Sequence, residues 1–397
     1  MPKKDMLNNK QRFLVVTLTL LTFIMGTSEF VIVGLLTEVA SDLKITLAAA
    51  GTLVSAFAIS YAVGTPILTA LLSKFSKYPL MLVLTFVFVL ANMVSALADT
   101  YMILLISRMV TAVVSGVLIA MSMTIANSTM PAAKKPAIVA LIFAGFAVAN
   151  VFGVPLGTFI GQLENWHLSF WLTALLGVVV FIIGVFAIPR NLVTEKTSLK
   201  EQLKLLTYGR VILAFFIPAF GAAATFTIYT YITPMIENGM SVPTRFVGII
   251  LLVFGVFTIF SNVLSGKIAG KNGVGKLRYT FIMQAVILSS LYFTMNTMVA
   301  GLINIMFVAL MFYVMNAPIQ LYFMNFAETY SPAMKDFASS LTPVAINVGI
   351  ALGSFVGNFV VEHSSFIHLS WAGGLEALVA SGLSFIIYGW KQRNKTD

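Results

Sequence analysis

The stretch GFAVANVFGVPLGTFIG, residues 145–161, is almost wholly apolar yet carries four glycines and a proline. In a water-exposed helix each interior glycine costs about 1 kcal/mol against alanine, and an interior proline about 3 kcal/mol. The pattern is therefore read as a helix in a bilayer, where close packing against a neighbour replaces the missing side chains. Gly145, Ala149, Gly153, Gly157 and Gly161 fall on one line at four-residue spacing and form a groove. Pro155 removes one backbone hydrogen bond and is expected to bend the span.

Composition carries the membrane reading to the whole chain. Of 397 residues, 59% are hydrophobic and 10% charged, and the mean hydropathy is +0.97. A bilayer core of about 30 Å needs roughly 20 apolar residues per helix. Twelve such runs are read at 13–36, 48–72, 79–98, 101–127, 137–163, 168–188, 210–236, 244–266, 278–297, 299–326, 338–361 and 369–390. The first follows MPKKDMLNNKQR but is too long for a signal peptide and has no small-residue cleavage site, so it is read as a retained span. The net charge of +10 is not a nucleic-acid footprint, because Lys and Arg concentrate at both ends and in alternate loops, while the other loops hold only Lys44 and Arg245. That alternation places both termini in the cytoplasm. The absence of cysteine excludes a disulfide framework.

The runs divide six and six around a polar segment. The expected organisation is an N-terminal six-helix bundle (1–188), a cytoplasmic linker (189–209) and a C-terminal six-helix bundle (210–397). Within the linker, Ser198 and Glu201 have capping-box spacing, and Leu199, Leu203 and Leu206 line one face of a short surface helix. The halves echo each other: PAAK at 131–134 and PAMK at 332–335 each precede the fifth span of a half, followed by Gly153, Gly157 and Gly161 in one and Gly349, Gly353 and Gly357 in the other. Two like halves place a substrate site between them near the midplane. The glycine line of span five then has two readings, static packing and a surface on which the halves meet in one state and part in another.

At these residues the chain resembles the major facilitator superfamily. Residues 145–161 are similar to the antiporter motif of its fifth helix, in the G-V-P-L-G form of purine-efflux and arabinose-efflux-like drug:proton antiporters. TFIMGTSEFVIVGLLTEVASDL (22–43) resembles that group's first-helix motif. Arg108 and Gly116 carry a fourth-helix R-x(6–7)-G pattern, and SSLTPVAINVGIALGSFVGN (339–358) resembles span eleven. LLSKFSKYPLML (71–82) departs from the signature between spans two and three, keeping only Lys74 and Lys77, and His167 stands where an Arg often follows Trp166. The resemblance implies an all-α integral membrane protein of twelve transmembrane helices in two six-helix bundles. It also implies a multi-pass cell-membrane transporter working by alternating access, with small molecules, protons and the lipid bilayer as its partners.

Charges inside spans are functional candidates because each costs several kcal/mol. Glu29 in span one and Arg108 in span four each lie about seven residues from the outer end of their span, about 10 Å deep at 1.5 Å per residue, which permits pairing. An Arg lowers a carboxylate's pKa and burial raises it, so the two are the expected proton-coupling residues, a permanent structural ion pair being the other reading. Glu376 in span twelve is read as an interfacial or packing carboxylate. Tyr313, Asn316 and Gln320 share one face of span ten, and with Tyr229, Tyr231 and Asn347 they are the expected substrate contacts, suited to a flat, weakly polar molecule. GKNGVGKL (270–277) fits a phosphate-loop spacing, but Leu277 replaces the magnesium-binding Ser or Thr. The three histidines have no metal-site spacing. Neither an enzyme, a metal nor a cofactor is expected, the proton gradient being the energy source, and a monomer is expected. The function read is proton-coupled efflux of a purine base or nucleoside, a sugar or a drug, with an uptake symporter, a facilitator and a channel as alternatives.

Overall fold

The computed structural model describes residues 7–72, 74–131, 134–163, 165–190, 207–270, 272–330 and 335–393. The linker helix expected around Ser198 to Leu206 and residues 332–334 of the PAMK segment lie outside these residues. Among them, eleven helices are long and apolar enough to cross a membrane. They are α1 (Asn9–Gly34), α2 (Leu47–Thr69), α3 (Lys77–Ala96), α4 (Tyr101–Ala126), α5 (Leu141–Leu163), α6 (His167–Ala187), α7 (Gly209–Tyr229), α8 (Thr244–Ala269), α10 (Met298–Thr329), α11 (Leu341–His363) and α12 (Phe366–Trp390). The ninth expected span is α9 (Gly273–Thr294), which carries Lys276, Arg278 and a buried Gln284. Odd helices start, and even helices end, on the face that carries Asn9 and Arg393, called here the terminal face; the other is the far face. The phosphate-loop look-alike is the junction of α8 and α9, where Asn272 adopts a left-handed conformation and Leu277 is buried.

Three spans are interrupted, each just before a proline. A proline ring clashes with the carbonyl four residues earlier, and that residue lies inside the irregular segment every time. Ser60–Gly64 in α2 is a π-turn ahead of Pro66, and Ala149–Gly153 in α5 is one ahead of Pro155. In α10 the helix opens into a turn at 312–315 ahead of Pro318. There the freed amides find partners on α8: Tyr313 N–H donates to Ser261 Oγ at 2.8 Å, and Ala317 N–H to Ser265 Oγ at 2.9 Å. This is how a bilayer tolerates a broken helix. Span seven also ends earlier than expected, at Tyr229, giving way to Ile232–Pro234 and a π-turn at Met235–Gly239.

The glycine line of α5 faces α1 of its own half. A side chain on Gly153 would strike Thr27, one on Gly157 would lie 2.5 Å from Val31 Cγ2, and one on Gly161 would lie 2.5 Å from Leu35 Cδ2. Gly145 likewise meets Thr22, whose hydroxyl donates to the Ile142 carbonyl at 2.5 Å. The C-terminal half repeats the device, with Gly349, Gly353 and Gly357 against the Ala219, Ala223 and Thr227 carbonyls of α7. The surface on which the halves meet lies elsewhere on α5: Gly255 of α8 would place a Cβ 2.6 Å from the Asn150 carbonyl, and Gly248 approaches Phe159. Of the two readings of the glycine line, the geometry supports packing within one half.

Three hydrophobic cores follow from this arrangement. One, on the far face, is shared by both halves and joins Val33, Leu36 and Leu53 to Tyr231, Met235 and Val360. The other two lie toward the terminal face, one confined to the N-terminal half (Leu14, Phe88, Ile125) and one to the C-terminal half (Val211, Phe281, Phe323). Among the described residues, the halves share a core on the far face and keep distinct cores toward the terminal face.

Candidate functional site

Glu29 and Arg108 are brought to the same level and both are buried. They meet through the backbone: the guanidinium donates to the Ser28 carbonyl and, at 2.8 Å, to the Glu29 carbonyl. Among the described residues no ion pair joins the Glu29 carboxylate to it, the sole pair being His167 with Asp42. Arg108 instead lies over the ring of Phe57, 4.4 Å from its centre, with Phe170 at 5.9 Å. Desolvated cation–π contacts of this kind contribute about 2 kcal/mol or more. Ser28 is tied in turn to α3, its hydroxyl donating to Asn92 Oδ1 at 2.8 Å. The Glu29 carboxylate is thus held beside a fixed positive charge without being neutralised by contact, and it lies within electrostatic reach of Tyr61 and of Tyr313 in the other half.

The next residue on α1 points across the seam. Phe30 meets Phe226 at 5.9 Å and Tyr229 at 6.4 Å between ring centres. Tyr229 stacks on Phe254 at 5.3 Å and meets Phe312 edge-on at 5.1 Å, and Phe312 meets Tyr313 at 4.7 Å. Asn150, inside the π-turn of α5, donates from Nδ2 to the Tyr313 hydroxyl at 2.5 Å, a side-chain bond between the halves. This ring cluster belongs to the shared core, and half-buried Tyr313 is at its edge.

The other expected contacts are dispersed. Asn316 and half-buried Gln320 continue the Tyr313 face of α10. Asn316 Oδ1 and Asn347 Oδ1 are buried without a hydrogen-bond partner, an arrangement that leaves acceptors free, although Asn347 Nδ2 is used by the Pro343 carbonyl at 3.2 Å. Tyr231 stands apart from the rings: its hydroxyl is hydrogen-bonded to Asn358 and packs against Gly51, closing α2 onto α7 and α11 at the far face. Glu376 accepts from Thr227 Oγ1 at 2.6 Å and borders a separate pocket of about 370 Å³ with Phe359, His363 and Trp371. Pro155 lies on the far-face side of its π-turn, next to Gly248.

Sequence reasoning missed Phe30, Phe226, Phe254 and Phe312, and nothing in the pattern singles them out among 33 phenylalanines. It also missed the far-face clasp, in which Asp42 accepts from Trp166 Nε1 at 2.8 Å and lies 3.5 Å from His167 Nε2. The weak signal for it was an acidic residue, Asp42, shortly beyond the end of the first span.

The family description Major Facilitator Superfamily matches residues 18–354. The MFS-type transporter YtbD of Bacillus subtilis is 37% identical over 372 residues, covering 93% of each chain. A chloramphenicol resistance protein of Streptomyces lividans is 29% identical over 368 residues, covering 91% of this chain and 92% of its own. Among solved structures, the nucleoside transporter NupG superposes with a TM-score of 0.74 at 15% identity, over 96% of this chain and 99% of its own.

Proposed function

The chain belongs to the Major Facilitator Superfamily, and from that premise we propose that it is a proton-coupled exporter of small aromatic or amphipathic molecules, alternating between states open to the terminal and far faces. One observation carries the reading. A buried carboxylate, Glu29, shares its surroundings with Arg108 of its own half and with Tyr313 of the other, and Phe30 beside it caps a cluster of rings that both halves contribute. A proton taken up or released at Glu29 therefore changes the charge next to the place where the halves touch. The rings offer faces and edges to a flat ligand entering from the terminal face, and the Asn150 and Tyr313 polar groups offer orientation. Similarity to a chloramphenicol resistance protein supports drug-like substrates; purine bases and nucleosides stay in the tested set because of the G-V-P-L-G motif. We place the terminal face in the cytoplasm, where the lysines and arginines concentrate, so that this conformation is inward-open.

The test is reconstitution in proteoliposomes with an imposed pH gradient, challenged with chloramphenicol, adenine, a nucleoside and a sugar. Gradient-driven movement of an aromatic compound is expected, and Glu29→Gln should keep substrate binding while losing dependence on the gradient. Full gradient-driven transport by that variant would sink the coupling assignment.

A further inference from the structure

Outside the central site, the far face holds a cleft of about 450 Å³ that spans the two halves. Glu38 enters it from the short helix Leu36–Asp42 that follows α1, and Glu237 from the π-turn that follows α7. These two carboxylates come from opposite halves across the sealed seam, and none of their four oxygens has a well-formed hydrogen bond, the Gln162 amide and the Glu38 backbone giving Glu38 only weak support. Among the described residues no cation answers them. Of the charged groups on the elements that pack around the cleft, His167 is occupied with Asp42, the Arg245 guanidinium lies over Phe246 at 4.8 Å, and His368 is bonded to Ser364. Lys44 ends the Glu38 segment and forms no ion pair with a described residue. Asp42, paired with His167, also lines the cleft, and the nearby uncharged polar groups are Thr37, Ser41, Gln162, Asn165 and Thr244.

Two ionised carboxylates facing each other without a cation repel, and burial makes the repulsion stronger. We propose that Glu38 and Glu237 form a proton-operated latch: the far face closes only while this pair holds a proton, and opens when both are ionised. The proposal rests on the alternating-access reading above. In the closed state Glu38 is pushed up to about 7, first because burial strips its carboxylate of water; its own backbone amide offsets part of this, the charge on Glu237 adds to it, and the Gln162 amide offsets a little more. Opening returns it to water and to the ordinary carboxylate range of about 4.3. The sign follows: the closed state binds the proton more tightly, so its advantage is complete below about 4.3 and is lost as pH rises through about 7. For one linked proton the open-to-closed ratio changes at most about tenfold per pH unit in that window.

The chain has no cysteine, so spin labels can be placed on the full-length protein without removing any. A pair at Leu163→Cys and Asn238→Cys, one exposed site in each half on the far face, reports its opening in lipid nanodiscs from about pH 5 to about pH 8, a range that brackets the window. The short distance should dominate at the acid end and give way to a longer one toward the alkaline end, in the otherwise wild-type chain and with Glu29→Gln alike. Adding Glu38→Gln and Glu237→Gln should hold the short distance at every pH. Should that double variant not fold, Glu237→Gln alone is expected to move the midpoint to lower pH. The latch is overturned if the distance ignores pH, if its pH dependence survives both glutamine substitutions, or if Glu237→Gln leaves the midpoint in place. A second label pair on the terminal face, at Ser128→Cys and Thr329→Cys, separates the failures. If that pair still switches on adding a transported compound, alternating access stands without the latch; if neither pair moves under any condition, both readings fall.

Discussion

Arg108 keeps a full charge with 1% of its surface exposed, and its surroundings show what permits this. Two backbone carbonyls of α1 accept from the guanidinium fork and an aromatic ring lies under its plane. A lysine supplies the same charge but neither the fork nor the flat face. Arg108→Lys should therefore lower stability by about 2–3 kcal/mol, roughly one lost hydrogen bond to a charged group, read as a fall in melting temperature in detergent, with transport reduced in parallel. An unchanged melting temperature would show that the charge alone matters. Residues of this kind were legible in the sequence because a charge inside an apolar run is conspicuous. What they touch was not: equal depth suggested a carboxylate facing a guanidinium, whereas the guanidinium is held by the carbonyls. Helix rotation about its axis decides between the two, and depth carries no information about rotation.

Small residues at four-residue spacing announce that something comes close, without saying what. For α5 that neighbour is α1, while contact with the other half is made by α8 glycines resting on the α5 backbone. The two seams predict different outcomes for the same kind of substitution. Gly157→Leu overpacks Val31 inside one half, a contact that rigid rocking of the halves leaves intact, so melting temperature and transport should fall together, by the roughly 1–3 kcal/mol typical of overpacking. Gly255→Leu meets the Asn150 carbonyl across the two halves in this far-face-sealed structure, a contact that the proposed alternation breaks when the far face opens. The same penalty then falls on that state alone and shifts the balance toward far-face opening by about 5- to 150-fold, since about 1.4 kcal/mol is tenfold. The Leu163 and Asn238 label pair distinguishes them: lengthened in the Gly255 variant, unchanged in the Gly157 variant. Identical behaviour of both would remove the distinction between the seams. The broken helices were half legible. Pro155 pointed to a bend in α5, but the hydroxyls of Ser261 and Ser265 that rescue the α10 amides lie earlier in the chain at a separation of 52 residues, and no local pattern connects them.

At the scale of the molecule, one core shared by both halves and two kept apart describe a body sealed on the far face, and the alternating access proposed above requires that only one face be sealed at a time. Labels at Ser128→Cys and Thr329→Cys should therefore approach each other under whatever condition drives Leu163→Cys and Asn238→Cys apart, and simultaneous lengthening of both pairs would contradict a rigid rocking of halves. The all-helical membrane fold and the approximate number of spans were readable because bilayer thickness imposes apolar runs of fixed length on the sequence. Which face is sealed was not, because both states use the same sequence and differ by a small free energy. The glycine seam between α1 and α5 has a further consequence, for the order in which the protein is made. Thr22 on the first span is bonded to a carbonyl 120 residues later in the chain, and the equivalent bond of the second half, from Thr227 to Gly353, bridges 126. At about 5–20 residues per second of synthesis, the first helix waits roughly 6–24 s in the bilayer before its mate emerges. During that interval its hydroxyls lack the partner they have in the folded chain, so each half is expected to close late, around its fifth span; nascent chains stalled just before residue 145 should then be cleaved by added protease faster than chains stalled after residue 163, and equal rates would contradict the delay.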